Sequence, residues 1–330
     1  MDAITDVITN QGITGNVASR LLNSGFNVNA LRTNTLLRKD EWKAMDDTVV
    51  QISRDRLVGA NDLVSRGLVF NITNGLGTTV LEYEDLSDMS AAEMDMTAVK
   101  RSASDAVKYA MNYLPLPIIH KDFSFNIRRL EASRKLGMAL DMTQTAIATT
   151  KCAEFLETLL FVGTGGITYG GGTIYGYMNH PNRCTASLTA NWDDSAATGA
   201  VVIQDVLTMK QAAIDAKHYG PWILYIPTNF DAPLDDEYST ANWSGGKTIR
   251  ARIKEIEGVE DVKVSDKLTN DNVILAEMRQ ESVRMVIGLQ PTVVEWNTEG
   301  GMVSHFKVME IMVPQIRADQ DGNCGIVHAS

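Results

Sequence analysis

The chain has 330 residues, of which 44% are hydrophobic and 22% charged, with a formal net charge of −11. That is enough apolar sequence for a large core in two domains or one elaborate one, so no disulfide or metal staple is needed. The acidic balance disfavours sequence-specific nucleic-acid binding, which goes with basic domains. Cys152, Cys184 and Cys324 are far apart and form no CxxC pair, which argues against structural zinc and for reduced thiols.

Residues 1–37 are polar, rich in Asn and Thr and weakly periodic. They read as an arm that orders against a neighbour, with a short helix around Val17–Leu22. No basic, apolar leader is visible, and no apolar run reaches the roughly 18 residues of a membrane-spanning helix, so a cytoplasmic protein is expected. Trp42, Met45, Val49, Ile52 and Leu57 lie near helical spacing and predict a helix over about 40–58. Leu63–Phe70, with Gly67, turns into an extended segment.

Asn74-Gly75 and Gly77 then signal turns, and Thr78–Tyr83 a strand. Glu82, Glu84, Asp85, Asp88, Glu93 and Asp95 follow among Ser and Met. So long an acidic excursion with little to bury is unusual inside a compact domain. A projecting hairpin that packs on another subunit accounts for it.

Leu114-Pro-Leu-Pro-Ile-Ile is extended, because a residue before proline is pushed out of the helical region. Phe123 and Phe125 continue the alternation, and Arg128 opens a helical segment. The strongest helix is predicted from about Asp141 to Phe161, ending at Gly163-Thr-Gly-Gly. Gly170–Gly172 prolongs a flexible stretch to Tyr177, and Thr185–Thr198 is a polar loop. The rest reads as α+β with local connections. Helices are predicted at Val201–Lys217, Asp231–Tyr238 and Thr248–Ile256, and strands at Trp222–Pro227, Val259–Val264, Asn272–Glu277, Val283–Ile287, Pro291–Trp296 and His305–Val313.

Ser244-Gly-Gly-Lys247-Thr248 resembles the end of a phosphate-binding loop, but position 241 is Ala instead of the first glycine and no strand leads into it. It reads as a glycine turn capping the next helix. Gly163-Thr-Gly165-Gly166 follows a helix, the reverse of a dinucleotide fingerprint. His120, His180, His218, His305 and His328 form no HxxxH pair, and there is no GxSxG elbow. Asp235, Asp236 and Glu237 read as a solvated helix start in preference to a cation site. Cys152 reads as a buried thiol. No catalytic, cofactor-binding or metal-binding residue is assigned, and no enzymatic activity is expected.

Arg128, Arg129, Arg134 and Lys135 form the densest basic cluster. It suits contact with phosphates or with an acidic neighbour, and equally intramolecular pairing with Glu131 and nearby acids. The acidic loop, with Glu82, Glu84, Asp85 and Asp88, is complementary to it, which suits pairing between subunits.

Two stretches carry a family resemblance. Leu114-Pro-Leu-Pro-Ile-Ile-His-Lys-Asp-Phe-Ser-Phe-Asn-Ile-Arg-Arg-Leu-Glu131 resembles the proline-led strand of tailed-phage capsid proteins and encapsulins, followed by Asp-Phe, alternating apolar residues and Arg. Gly137-Met-Ala-Leu-Asp141, then Ala146, Ala148, Ala153, Glu154 and Leu159-Leu-Phe-Val-Gly163, resembles that family's long spine helix, and Ile174-Tyr-Gly176 the turn after its glycine-rich loop. The motifs span roughly residues 38–180, and beyond them only the pattern agrees.

The resemblance implies an α+β tailed-phage capsid (encapsulin-like) fold. Its parts would be an N-terminal arm (1–37), an N-terminal helix region (38–67), an extended loop (68–113), a peripheral domain with the spine helix (114–194), an axial domain (195–300) and a C-terminal strand returning to the peripheral domain (301–330). It also implies a major capsid protein that self-assembles, as hexamers and pentamers, into an icosahedral shell enclosing the double-stranded DNA of a tailed phage. Scaffolding and portal proteins would be partners, contact with packaged DNA would be non-specific, and no cofactor or membrane would be involved. Assembly would occur in the host cytoplasm and the product would be the virion. The alternative is an encapsulin-type shell around a cargo enzyme. The long region before Trp42 exceeds what encapsulins usually carry and favours the capsid.

Overall fold

The computed structural model describes residues 43–45, 47–49, 51, 57–86, 92, 94, 96, 109–126, 128, 143–164, 168–194, 197–240, 243–299, 302–318 and 322–330. In chain order the elements are α1 (Gly59–Ser65), β1 (Val69–Asn71), β2 (Val80–Leu86), β3 (Tyr109–Pro115), β4 (Ile119–Asn126), α2 (Thr143–Phe161), β5 (Thr168–Tyr169), β6 (Gly172–Thr173), β7 (Cys184–Ala186) and α3 (Gly199–Asp215). They continue with β8 (Trp222–Ile226), α4 (Asp231–Leu234), β9 (Glu237–Thr240), β10 (Trp243–Thr248), α5 (Ile249–Lys254), β11 (Val259–Val264), β12 (Val273–Glu277), β13 (Val283–Thr298), β14 (Val303–Ile316) and β15 (Ile326–Ala329). They form two compact units.

The first unit draws on residues up to 79, 116–163 and 284–315. Its sheet has the order β1-β13-β14-β4. β1 runs parallel to β13, and β4 antiparallel to β14, from Val303↔Asn126 to Glu310↔Ile119. α2 packs against β4. It buries Thr145, Ala148, Cys152, Leu156 and Leu159 at three- and four-residue steps, which keep one face of a helix inward. Gly163, at φ 76°, ends the segment in the left-handed region that glycine adopts without a Cβ penalty. Phe123, Phe125 and Phe306 pack between β4 and β14, with ring centroids 5.3–5.6 Å apart.

Residues 43–45, 47–49 and 51 are helical, with Met45 and Val49 buried four residues apart, whereas Trp42 and Ile52 lie outside the described residues. The extended segment expected from Leu63 begins only at Val69, because Gly59–Ser65 forms α1. Its start is capped by Glu157 of α2, whose carboxylate accepts from Gly59 N (2.6 Å) and Ala60 N (3.4 Å). A Cβ on Gly59 would lie 2.7 Å from Leu160 Cδ2, so a larger residue there would have to displace the Leu160 side chain. The strands expected at 283–287 and 291–296 are one, β13. Pro291 is tolerated there because β1 pairs only as far as Ile287, and that edge has no partner strand beyond it among the described residues.

The second unit draws on 80–115, 164–283 and 316–330. Its main sheet has the order β11-β8-β12-β15-β7. All five residues of β8 and all five of β12 are buried, which explains why both read as unbroken apolar runs. α3 and α5 pack on this sheet around Val206, Met209, Trp222, Leu224, Ile253 and Leu275. The buried Asp205 of α3 accepts from Thr189 Oγ1 (2.6 Å) and Trp192 Nε1 (3.1 Å), pinning the preceding loop.

Three local expectations change in this unit. Cys184–Ala186 is an edge strand, so the polar loop begins after it. The helix expected at Asp231–Tyr238 stops at Leu234, and Glu237–Thr240 pairs with Trp243–Thr248, so the supposed glycine turn is strand β10. The capping role of Thr248 stands, since its side chain accepts from Ala251 N at 3.2 Å. Gly170–Gly172 belongs to the β5–β6 hairpin, with Gly170 and Gly171 at φ 59° and 83° in the turn.

Candidate functional site

The acidic excursion opens as a regular antiparallel ladder, from Val80↔Pro115 to Leu86↔Tyr109. Cross-strand partners share a face. Glu82 therefore stands beside Tyr113, and Glu84 beside Met111. Tyr109, Met111 and Tyr113 occupy alternate positions of β3 on that face and are 67%, 46% and 38% exposed. Glu82 and Glu84 are exposed as well. Asp85 lies in β2, and Asp88 lies outside the described residues. Met94 and Met96 are almost wholly exposed. The ribbon thus exposes an apolar stripe of aromatic and Met side chains with carboxylates beside it.

The base of this ribbon rests on the β5–β6 hairpin. A Cβ on Gly172 would stand 2.1 Å from Tyr113 O, and one on Gly170 2.6 Å from Val80 Cγ2. The glycine run read as a flexible stretch is therefore a seat, needed because backbone lies directly on backbone.

Of the basic cluster, Arg128 is exposed, and its backbone N–H donates to Asn126 Oδ1 at 2.9 Å. Arg129, Arg134 and Lys135 lie outside the described residues. A groove of about 270 Å³ runs between the start of β4 and α2, lined by Ile118, Ile119, His120, Lys121, Lys151, Cys152 and Phe155. Burial, reinforced by the nearby Glu310 carboxylate, pushes the Cys152 thiol up to about 12, so it stays protonated and unreactive at neutral pH. Glu310 is itself buried, its Oε1 has no hydrogen-bond partner, and desolvation raises its carboxyl to about 7.

In the second unit Glu277 gathers a buried polar cluster that no spacing in the sequence announces. His218 Nδ1 lies 2.6 Å from its Oε2, Ser282 Oγ donates to the same oxygen at 2.6 Å, and Gly220 N donates to Oε1 at 3.1 Å. Arg279 Nε donates to Gly220 O at 2.6 Å, and Glu277 N to Gly325 O at 2.7 Å. The Ser282 hydroxyl is given to the carboxylate, whereas a nucleophilic relay needs it on the imidazole. Glu277 thus ties the loop after α3, the β12–β13 turn and the approach to β15 into one buried hub.

Other polar groups of this unit are held in hydrogen bonds and ion pairs. His328 accepts from Arg183 Nε (3.3 Å) and bonds Asn272 Oδ1 through Nε2 (2.7 Å). Burial and the Arg183 charge lower both its basicity and that of His180, the latter to about 4, so both rings are neutral at pH 7. Asp235 follows the end of α4 instead of opening a helix, and Arg250 bridges it (2.7 Å) to Asp231. No group of His, Cys, Asp and Glu among the described residues has the geometry of a metal site.

Comparison with known proteins agrees with this architecture. The profile of a family of unknown function, DUF6260, matches residues 29–329. The type 1 encapsulin shell protein EncA of Myxococcus xanthus (strain DK1622) is 24% identical over 284 residues, covering 85% of this chain and 90% of that protein. The virus-like particle from Pyrococcus furiosus gives a TM-score of 0.62 at 18% identity, covering 88% of this chain and 99% of that one. The capsid of Myoviridae phage XM1 gives 0.60 at 11% identity, covering 80% and 90%. At such identities the structural likeness establishes the fold, and it is the one that residues 114–176 pointed to. The chain belongs to the DUF6260 family and has the α+β fold of tailed-phage capsid and encapsulin shell proteins.

Proposed function

We propose that many copies of this chain close into an icosahedral shell, and that the shell is the major capsid of a tailed phage enclosing double-stranded DNA. The observation that carries the shell reading is the exposed β2–β3 ribbon on a capsid fold. Its exposed Tyr109, Met111 and Tyr113 form an apolar strip that water does not favour and that a neighbouring copy covers. The capsid reading rests on the long polar region before Trp42 and on the acidic balance, which lets packaged DNA slide without sticking. It brings with it hexamers and pentamers, scaffolding and portal proteins, assembly in the host cytoplasm and residence in the virion. In this reading residues 68–113 form the extended loop between subunits, 195–300 the axial domain, and the Arg128–Lys135 cluster a second intersubunit or phosphate-facing surface.

A second reading, an encapsulin-type shell around a cargo enzyme, is supported by the match to EncA along 90% of that protein. Electron microscopy of the full chain, expressed alone and with its neighbouring genes, tests both. Uniform closed particles support the shell, and a persistent monomer under all conditions overturns it. Particles that close on the chain alone and hold a protein favour the encapsulin. Particles that need a scaffold and fill with DNA favour the capsid.

A further inference from the structure

We infer that Arg183, bonded to His180 and His328, is an acid-sensitive clasp that closes the β7–β15 end of the second unit's sheet and opens when the two rings are protonated. This goes beyond the shell reading and does not depend on it. The clasp joins three stretches far apart in the chain. Arg183 Nε donates to His328 Nδ1 at 3.3 Å, and its Nη1 to the His180 carbonyl at 2.9 Å. His328 Nε2 lies 2.7 Å from Asn272 Oδ1. The Asn272 amide nitrogen donates in turn to Thr269 Oγ1 (2.9 Å) and to the Asn270 carbonyl (2.8 Å), which fixes Oδ1 as the acceptor. Cys324 N, just before β15, donates to Asn182 O at 3.1 Å. β7 is the edge strand and pairs only with β15, so both strands depend on this end being held.

The direction of the bonds makes the clasp sensitive to protons. A guanidinium has donors and no acceptor. His328 Nδ1 is therefore the bare nitrogen, and Nε2 donates to Asn272. His180 Nδ1 is bare as well, because it accepts from the Asn182 backbone N–H at 3.2 Å. A proton on either Nδ1 sets donor against donor, and neither partner can reverse its role. It also adds a positive ring close to Arg183, the charge that lowers the basicity of both. The rings are only 7% and 9% exposed, so the new charge is poorly hydrated. Among the described residues no carboxylate bonds either ring. Ile274 and Thr185 stand opposite His328 on β12 and β7, with Tyr225 beyond Ile274, and Tyr175 packs edge-on against His180. Asp271, in the turn before β12, accepts from Asn229. α3 lies on the other face of β15, against Val327 and Ala329.

Hydrogen exchange of the full chain at pH 7.5 and pH 5, with protection corrected for intrinsic rates, tests this. Each ring kept neutral, against an ordinary histidine value of about 6.5, favours the released state about thirtyfold at pH 5. Peptides covering 183–188 and 324–330 should therefore lose about tenfold or more in protection, while β8 keeps its own. His180→Asn combined with His328→Gln sets carbonyl oxygens in place of the accepting nitrogens and leaves nothing to protonate, so the loss should vanish. Arg183→Met should shrink the loss, because without the cation the folded chain tolerates a charged ring better. Unchanged wild-type protection at pH 5, an equal loss in β8, or a loss as large as wild type in either folded variant overturns the inference. Should the histidine double variant fail to fold, the wild-type profile and Arg183→Met decide.

Discussion

Replacing Glu277 by Gln keeps the side-chain shape and removes the charge at the centre of the hub. The glutamine oxygen can take the place of the oxygen that His218 and Ser282 share, but its amide N–H then faces the Gly220 N–H, a second donor. Hydrogen bonds to a charged group contribute about 1.5–3 kcal/mol each. One is inverted and two lose the charge that strengthens them in a site only 2% exposed, so a cost of about 3–5 kcal/mol is expected, the range for breaking a buried pair from one side. The pH dependence has a definite sign. Burial by itself raises the Glu277 carboxyl, but the bonds from His218 and Ser282, the His218 charge and the Gly220 N–H outweigh it and hold the carboxyl below its usual range. A depressed folded-state pKa adds stability above the unfolded value, and that stability is lost as pH falls through the folded one. The gap between wild type and Glu277→Gln should therefore be widest near neutrality and close as pH falls through and below the ordinary glutamate range. Urea unfolding followed by tryptophan fluorescence reports on it, because the Trp222 ring lies against Gly220 and Gly258 beside the hub. A cost under about 0.5 kcal/mol, the size of an ordinary surface change, or a gap that widens in acid, refutes this account.

Other groups give equally definite outcomes. Gly172→Ala places a methyl 2.1 Å from Tyr113 O, so the ribbon must shift, and particle yield should collapse while the second unit's melting falls by no more than overpacking costs, about 1–3 kcal/mol. Glu310→Gln should be neutral at pH 4 and stabilising at pH 8. A carboxyl raised from 4.5 to about 7 subtracts stability as pH climbs between those values, and an amide has nothing to ionise. Iodoacetamide at pH 8 should spare Cys152 in the native chain and label it only after denaturation, since its thiol titrates near 12. Rapid native labelling would show that α2 opens at that position.

Local patterns were legible where one element buries one face. The apolar steps of α2 and the unbroken runs of β8 and β12 need no knowledge of what covers them. The acidic composition after Thr78 likewise marked a segment without a core of its own, and the ribbon fits that. Short elements were misread where tertiary pairing overrode propensity. Glu237 and Tyr238 looked helical until β10 offered them a partner, and Thr185 and Ala186 looked like loop until β15 did. The groove behind Lys151 was invisible, because it joins side chains some thirty residues apart on two elements.

The sequence by itself determined the α+β class, the long helix before Gly163 and the capsid-like order of motifs over residues 114–176, because periodicity, proline and glycine act within a few residues. Only the tertiary structure decided that His218, Glu277, Ser282 and Gly325 converge, that the glycines at 170–172 seat a ribbon, and that Glu157 reaches back to cap α1. Those are distances between residues far apart in the chain. The composition of a segment does not record what the fold brings against it.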